Sequence, residues 1–168
     1  MENEALEQRF MQAIEARENG DLDSAAEMML GILKIEPRLP EPHLELSHIY
    51  LQVGQLEDAQ THIDEAIVYL ESGGQWTDDL EESEVLSLAY STKGEIYRAL
   101  ASEDEMVFGD EEEFKKLLKE AKTAFKKAAL INPQNEHAVY WSGSIHWSPA
   151  LTDQLEKNNS EDDASNED

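Results

Sequence analysis

The histidines of this sequence are the first residues to test for chemistry, because their spacing could build a metal site. A zinc site on a helix would need two histidines three or four residues apart, supported by a carboxylate. No two histidines have that spacing, so we interpret them as packing or surface residues and expect no metal. The five are His43, His48, His62, His137 and His146.

Other residue types do not mark a catalytic centre either. Acid–base catalysis needs a pocket that shifts a pKa, and among 38 Asp and Glu residues no pair stands out. Gly73 and Gly74 are followed by Gln75 and Trp76, not by the Lys-Ser/Thr pair of a phosphate-binding loop. The sequence contains no cysteine, which excludes thiol nucleophiles and disulfides. We therefore expect neither an enzyme nor a cofactor.

The charge of the chain limits the classes of partner. The formal net charge is -25, from 13 Lys and Arg against 38 Asp and Glu. Nucleic acids and anionic lipids are bound mainly by Lys and Arg, so we expect neither as a partner. The acidic start and the lack of an apolar run of roughly 20 residues favour a soluble, cytoplasmic protein.

Basic residues are concentrated in one stripe, which has helical spacing. Glu111 and Glu112 precede Lys115 and Lys116 by four residues, the order that favours ion pairs on a helix. We interpret the stripe as a solvated helix face, while contact with an acidic surface, such as the insertions of a second copy, stays open. Its members are Lys115, Lys119, Lys122 and Lys126.

A repeated segment indicates which elements carry these residues. The run from Gly20 to Ala25 recurs from Gly54 to Ala59, 34 residues later, and each copy lies in an amphipathic stretch. Stacked helix-turn-helix units produce a fixed period of this length. The sequence therefore resembles the tetratricopeptide repeat family.

The resemblance rests on small residues where two helices cross, bulky residues between them, and a proline that stops the second helix. The first copy departs from the family pattern at Arg9, Gln12 and Ile32, as suits a terminal repeat facing water. In the second, His43 replaces the usual tryptophan and Glu71 the usual proline. The matching residues are Ala13, Ala25, Met29 and Pro37, then Leu46, Ser47, Tyr50, Ala59 and Ala66, then Tyr90, Gly94, Tyr97, Ala121, Phe125, Ala128 and Pro133.

This resemblance implies an all-α solenoid of antiparallel helix pairs. Acidic insertions at 74–86 and 101–113 precede and split the third repeat, so we predict long helices at about 79–101 and 111–131. The spacings of Asp78 with Glu81 and of Asp110 with Glu113 predict their starts. The predicted boundaries are repeats at about 6–39, 40–73 and 87–135, a capping helix at 136–147, a helical domain over 1–157 and a disordered acidic tail over 158–168.

In such stacks the first helix of each pair lines a concave groove. The predicted groove is apolar and aromatic at its ends and polar between them, which suits a peptide of a partner protein. Trp76 is expected either to anchor a partner or to cover the joint between repeats two and three. The predicted groove residues are Phe10, Met11, Ile14, Arg17, Leu44, Glu45, His48, Leu51, Ser91, Thr92, Glu95, Arg98, Tyr140, Trp141 and Trp147.

The sequence thus favours a non-catalytic adaptor that binds a basic or amphipathic segment of another protein in this groove. Two alternatives stay open. One is a small acidic secretion-type chaperone, because some secretion chaperones are small, acidic proteins with three tetratricopeptide repeats. The other is a structural subunit of a homo- or hetero-oligomeric complex, in which a second copy or a fixed partner fills the groove.

Overall fold

The computed structural model describes residues 2–77, 79–103 and 109–143. Within these residues the chain forms seven α-helices and no strand, which confirms the all-α class. The predicted capping helix is described as far as Gly143, and the predicted tail at 158–168 lies outside the described residues. The helices are α1 (Glu2–Glu18), α2 (Leu22–Leu33), α3 (Pro40–Gln52), α4 (Leu56–Glu71), α5 (Glu82–Ala101), α6 (Glu111–Ile131) and α7 (Glu136–Gly143).

The repeated glycine ends the first helix of a pair in both copies. Gly20 has a φ of 82° and Gly54 a φ of 78°, in the left-handed region that favours glycine. The N–H groups of the next residues, Asp21 and Gln55, donate to helix carbonyls at 2.9 Å and 2.8 Å. This hydrogen bond satisfies a carbonyl that the ending helix leaves without a partner. The period in the sequence is therefore a repeated helix end.

The second pair ends without the proline of the family pattern. Helix α4 continues through Glu71, and the chain turns at Gly73 and Gly74. The N–H of Gly74 donates to the carbonyl of Tyr69 at 2.9 Å, which closes the last turn. Glycine thus stops a helix that proline stops elsewhere in the family pattern.

The third pair has the long helices that the insertions predict, with 20 residues in α5 and 21 in α6. Helix α5 begins at Glu82, later than predicted, because Glu81 and Glu84 form a reciprocal capping box at its start. The predicted cap, Asp78, lies outside the described residues. Asp110 caps α6 as predicted, since its Oδ1 accepts the N–H groups of the first turn at 3.0 Å and 3.1 Å.

Each helix packs against the helices before and after it, as in a solenoid, and α3 also contacts α5. The small residues Ala25, Ala59 and Ala121 are fully buried at the crossings. Gly94 of α5 lies against Phe125 of α6, where a Cβ atom on Gly94 would be 2.7 Å from Phe125 Cζ. Glycine at position 94 therefore leaves room for the buried ring of Phe125 between the two long helices.

None of the helices in the described ranges combines the length and the apolar character that a bilayer span requires.

Candidate functional site

The first helices of the pairs, α1, α3 and α5, and the capping helix α7 carry the predicted groove residues that the structure describes, and we call the surface they form the inner face. Side chains link these helices in sequence along it. Arg17 of α1 pairs with Glu45 of α3 at 2.6 Å. His48 of α3 bonds Thr92 of α5 at 2.8 Å. Glu95 of α5 bonds His137 of α7 at 2.7 Å. These contacts place Arg17, Glu45, His48, Thr92 and Glu95 of the predicted groove in one row, where most of their polar groups satisfy each other.

The hydrogen bonds at the centre of this row define the state of His48. The Thr92 hydroxyl donates to the carbonyl of Leu88 at 2.9 Å, so its oxygen accepts from Nε2–H of His48. Nδ1 of His48 then carries the lone pair, and it is buried with no hydrogen-bond partner in the described residues. Burial, and secondarily the charge of Arg17, lowers the pKa of His48 to about 4. His48 is thus a neutral, internal link at physiological pH.

The far end of the inner face is aromatic and charged. Arg98 donates to Oε2 of Glu95 through Nε and Nη2, at 3.0 Å and 2.6 Å. Its guanidinium lies 4.2 Å from the ring centroid of Trp141, within the range of a cation–π contact. Tyr140 meets Trp141 edge to face with centroids 5.2 Å apart and is 52% exposed. Tyr140 is therefore a large accessible side chain at this end.

The near end is formed by α1 and by the segment that follows α4. Phe10 meets the ring of Trp76 edge to face at a centroid distance of 5.5 Å. Ile14 packs on the same core cluster of α1, α2 and α3, whereas Met11 is 61% exposed. Trp76 therefore reaches back to the first repeat, beyond the joint between repeats two and three.

Several of the predicted groove residues are buried in the interior. Leu44 is 4% exposed and belongs to the central core cluster. Leu51 is partly buried and packs against this cluster. Ser91 and Thr92 are also buried, because α3 and α5 approach closely enough for the His48 bond. These side chains present little surface to a ligand. Trp147 lies outside the described residues.

Glu41 holds Trp76 in place, a contact that the sequence did not reveal. Glu41 lies in the first turn of α3 and is 6% exposed. Its Oε1 accepts the N–H groups of Trp76 and Thr77, each at 2.8 Å, and the Thr77 hydroxyl at 3.2 Å. A local clue was available, since Pro40 and Pro42 flank this acid at a helix start. Nothing in that pattern indicates a partner in another repeat.

Two histidines that are distant in sequence meet between α3 and α4. His43 Nε2 donates to the carbonyl of Pro37 at 3.0 Å, so its Nδ1 accepts from Nδ1–H of His62 at 2.8 Å. Burial, followed by the proximity of His43, lowers the pKa of His62. The described residues contain no group of three metal-ligating side chains. The two rings pack against each other with centroids 5.1 Å apart, and both of their facing nitrogens are used.

Lys127, Tyr90 and Glu71 form a cluster that ties together α4, α5 and α6. The Lys127 ammonium donates to Glu71 at 2.8 Å and to the Tyr90 hydroxyl, which itself donates to Glu71. Burial and the bond to Glu71 raise the pKa of Tyr90, while the bonds from Lys127 and Tyr90 lower the pKa of Glu71. The phenol therefore stays protonated, and the cluster serves as a structural link.

The lysine stripe lies on α6, away from the inner face. Lys115 pairs with Glu111 at 2.8 Å, as its spacing predicts, whereas Lys116 pairs with Glu113 rather than Glu112. The remaining members have no carboxylate partner among the described side chains. Those members are Lys119, Lys122 and Lys126.

The comparison with protein families gives a match over one part of the chain. The family model described as tetratricopeptide repeat matches residues 16–76, which contain α2, α3, α4 and the segment up to Trp76. The predicted resemblance to this family is therefore confirmed for this part of the chain. Repeats of this family generally form protein–protein interaction modules without catalytic activity. No curated protein matches the chain.

Proposed function

We propose that this protein is an adaptor whose inner face binds a basic, amphipathic segment of another protein. The observation that supports it best is the distribution of accessible side chains along this face. Met11 at one end is 61% exposed and Tyr140 at the other is 52% exposed, while charged pairs occupy the space between them. A segment with apolar anchors on a polar background complements that pattern.

The charge of the chain supports a basic partner. A net charge of -25 attracts positive segments before contact and repels acidic ones. Salt weakens such attraction, because the Debye length is about 8 Å at physiological ionic strength. Charge would then accelerate association, and the apolar anchors would hold the bound segment.

The burial of individual side chains narrows the set that would contact a partner. Leu44, Ser91 and Thr92 are internal, so replacing them would change stability rather than binding. The contact set that we propose is made of the exposed anchors, the aromatic rings and the charged pairs among the predicted groove residues. It consists of Phe10, Met11, Arg17, Glu45, Glu95, Arg98, Tyr140 and Trp141.

The test is a fluorescence-anisotropy titration with a labelled amphipathic helix of leucine and lysine, compared with the same helix carrying glutamate in place of lysine. We expect the lysine helix to bind, and to bind more weakly as salt is added. Met11→Ala and Tyr140→Ala should each weaken binding by about 1 kcal/mol, or roughly fivefold in Kd. Equal binding of both helices would contradict the proposal.

Matched controls remove exposed apolar side chains from the second helices of the pairs. Val68 on α4 is 58% exposed and Leu130 on α6 is 82% exposed. Val68→Ala and Leu130→Ala should leave Kd unchanged if the ligand lies on the inner face. Loss of binding on charge reversal of Lys119, Lys122 and Lys126, with no effect at Met11 and Tyr140, would place the ligand on the opposite side. A concentration-dependent dimer with no peptide binding would favour the structural subunit.

A further inference from the structure

A recess at the near end of the inner face is formed partly by a segment outside the predicted repeats. It lies between α1 and the segment after α4, and its volume is about 250 Å³. That volume is smaller than the roughly 300 Å³ at the lower end of small-molecule pockets. The recess is therefore of a size for one long side chain. Its lining residues are Glu7, Phe10, Met11, Trp76, Thr77 and Asp79.

The walls and the rim of the recess have different chemistry. Phe10 and Trp76 meet edge to face, and Met11 extends the apolar surface toward solvent. Glu7 and Asp79 are exposed and supply two carboxylates, and none of the described residues that line the recess is basic. Aromatic faces attract cations through their quadrupole, and carboxylates attract them through charge. The carboxylates of Glu7 and Asp79 would repel an anionic side chain.

The recess is also formed in advance of binding. Glu41 holds Trp76 and Thr77 through three hydrogen bonds to one carboxylate oxygen. Because this acid is 6% exposed and belongs to α3, it attaches the segment after α4 to the body of the stack. A preformed site spares a ligand the cost of ordering the segment.

We propose that this recess binds the side chain of a lysine or arginine from the partner segment. The aliphatic stem would lie on Phe10, Met11 and Trp76, and the charged end would face Glu7 and Asp79. This inference rests on the proposed function, since it names the side chain that the partner inserts. It adds that the segment after α4, which lies outside the predicted repeats, contributes to specificity together with α1.

The experiment uses the full-length chain and follows the indole N–H signal of Trp76 by ¹H–¹⁵N NMR. The sequence has three tryptophans, and a Trp76→Phe variant assigns the signal. The probes are N-acetyl-arginine amide and the amide of N-acetyl-citrulline, which has nearly the same shape and no charge. We expect a saturable shift with arginine and little or none with citrulline. Equal shifts with both would overturn the proposal.

Charge removal at the rim tests the role of the carboxylates. Glu7→Gln combined with Asp79→Asn should weaken binding of the arginine probe by about fivefold, the upper range for exposed ion pairs. The matched control is Glu27→Gln combined with Asp58→Asn, which removes the same charge at exposed positions on α2 and α4. Equal weakening by both pairs would mean that net charge alone attracts the probe, and would overturn the proposal.

The outcome can be separated from that of the proposed function. If the lysine helix binds and Tyr140→Ala weakens it while Trp76 does not respond to arginine, the recess proposal fails and the adaptor proposal stands. If Trp76 responds selectively to arginine while the helix does not bind, the recess proposal stands and the adaptor proposal fails.

Discussion

Replacing Glu41 tests whether the segment around Trp76 is attached to the stack as the structure indicates. In Glu41→Ala the N–H groups of Trp76 and Thr77 lose their acceptor. Hydrogen bonds to a charged acceptor contribute about 1.5 to 3 kcal/mol each, but water can replace part of this because the segment is half-buried. We therefore expect a loss of about 2 to 3 kcal/mol in the free energy of unfolding. Glu41→Gln keeps an acceptor and should lose about half as much.

The assay is urea denaturation, together with the Trp76 indole signal. A loss of about 2 to 3 kcal/mol corresponds to a fall in Tm of roughly 5 to 10 °C for a chain of this size. Glu82→Ala is the matched control. Like Glu41, Glu82 is an acid in the first turn of a helix, where it interacts favourably with the helix dipole, but Glu82 is exposed and attaches no loop. If Glu41→Ala and Glu82→Ala lower stability equally and leave Trp76 unchanged, the attachment described here is wrong.

Two further predictions concern the contact between α5 and α6 and the centre of the inner face. Gly94→Ala should destabilise the protein by about 1 to 3 kcal/mol in urea denaturation, because the new Cβ meets the buried ring of Phe125, and unchanged stability would contradict that close approach. Because the pKa of His48 is about 4 in the folded chain and 6.5 ordinarily, the unfolded chain binds the proton first as pH falls. His48 should therefore cost up to about 3 kcal/mol of stability between pH 6.5 and 4, and a His48→Gln variant with the same pH dependence would refute this.

The position of the lysine stripe and the ends of the helices were predictable from the sequence. Gly20 and Gly54 end helices in both copies, and Asp110 caps α6 at its predicted start. Each of these features depends on the conformation or hydrogen bonding of residues within one turn of the chain. The start of α5 was not predicted correctly, because several acids precede this helix and each of them is a candidate cap. In the structure the cap is Glu81.

The predicted groove illustrates what a repeat pattern can and cannot establish. The pattern predicted which residues share the inner face, and the contacts of Arg17 with Glu45 and of His48 with Thr92 join four of these residues. It could not establish which of them stay accessible. Leu44 is internal because it packs in the central core with side chains of α4 and α5, and the position of these helices depends on packing across many side chains.

By itself, the sequence determined the helical class, the repeat period, the start of α6 and a strongly negative net charge. These follow from local backbone preferences and from composition, which do not require knowledge of the neighbours in space. Only the tertiary structure decided that Glu41 holds Trp76, that His43 meets His62, and that a recess opens beside Phe10. These contacts join different helices and loops, so they depend on the orientation of whole elements.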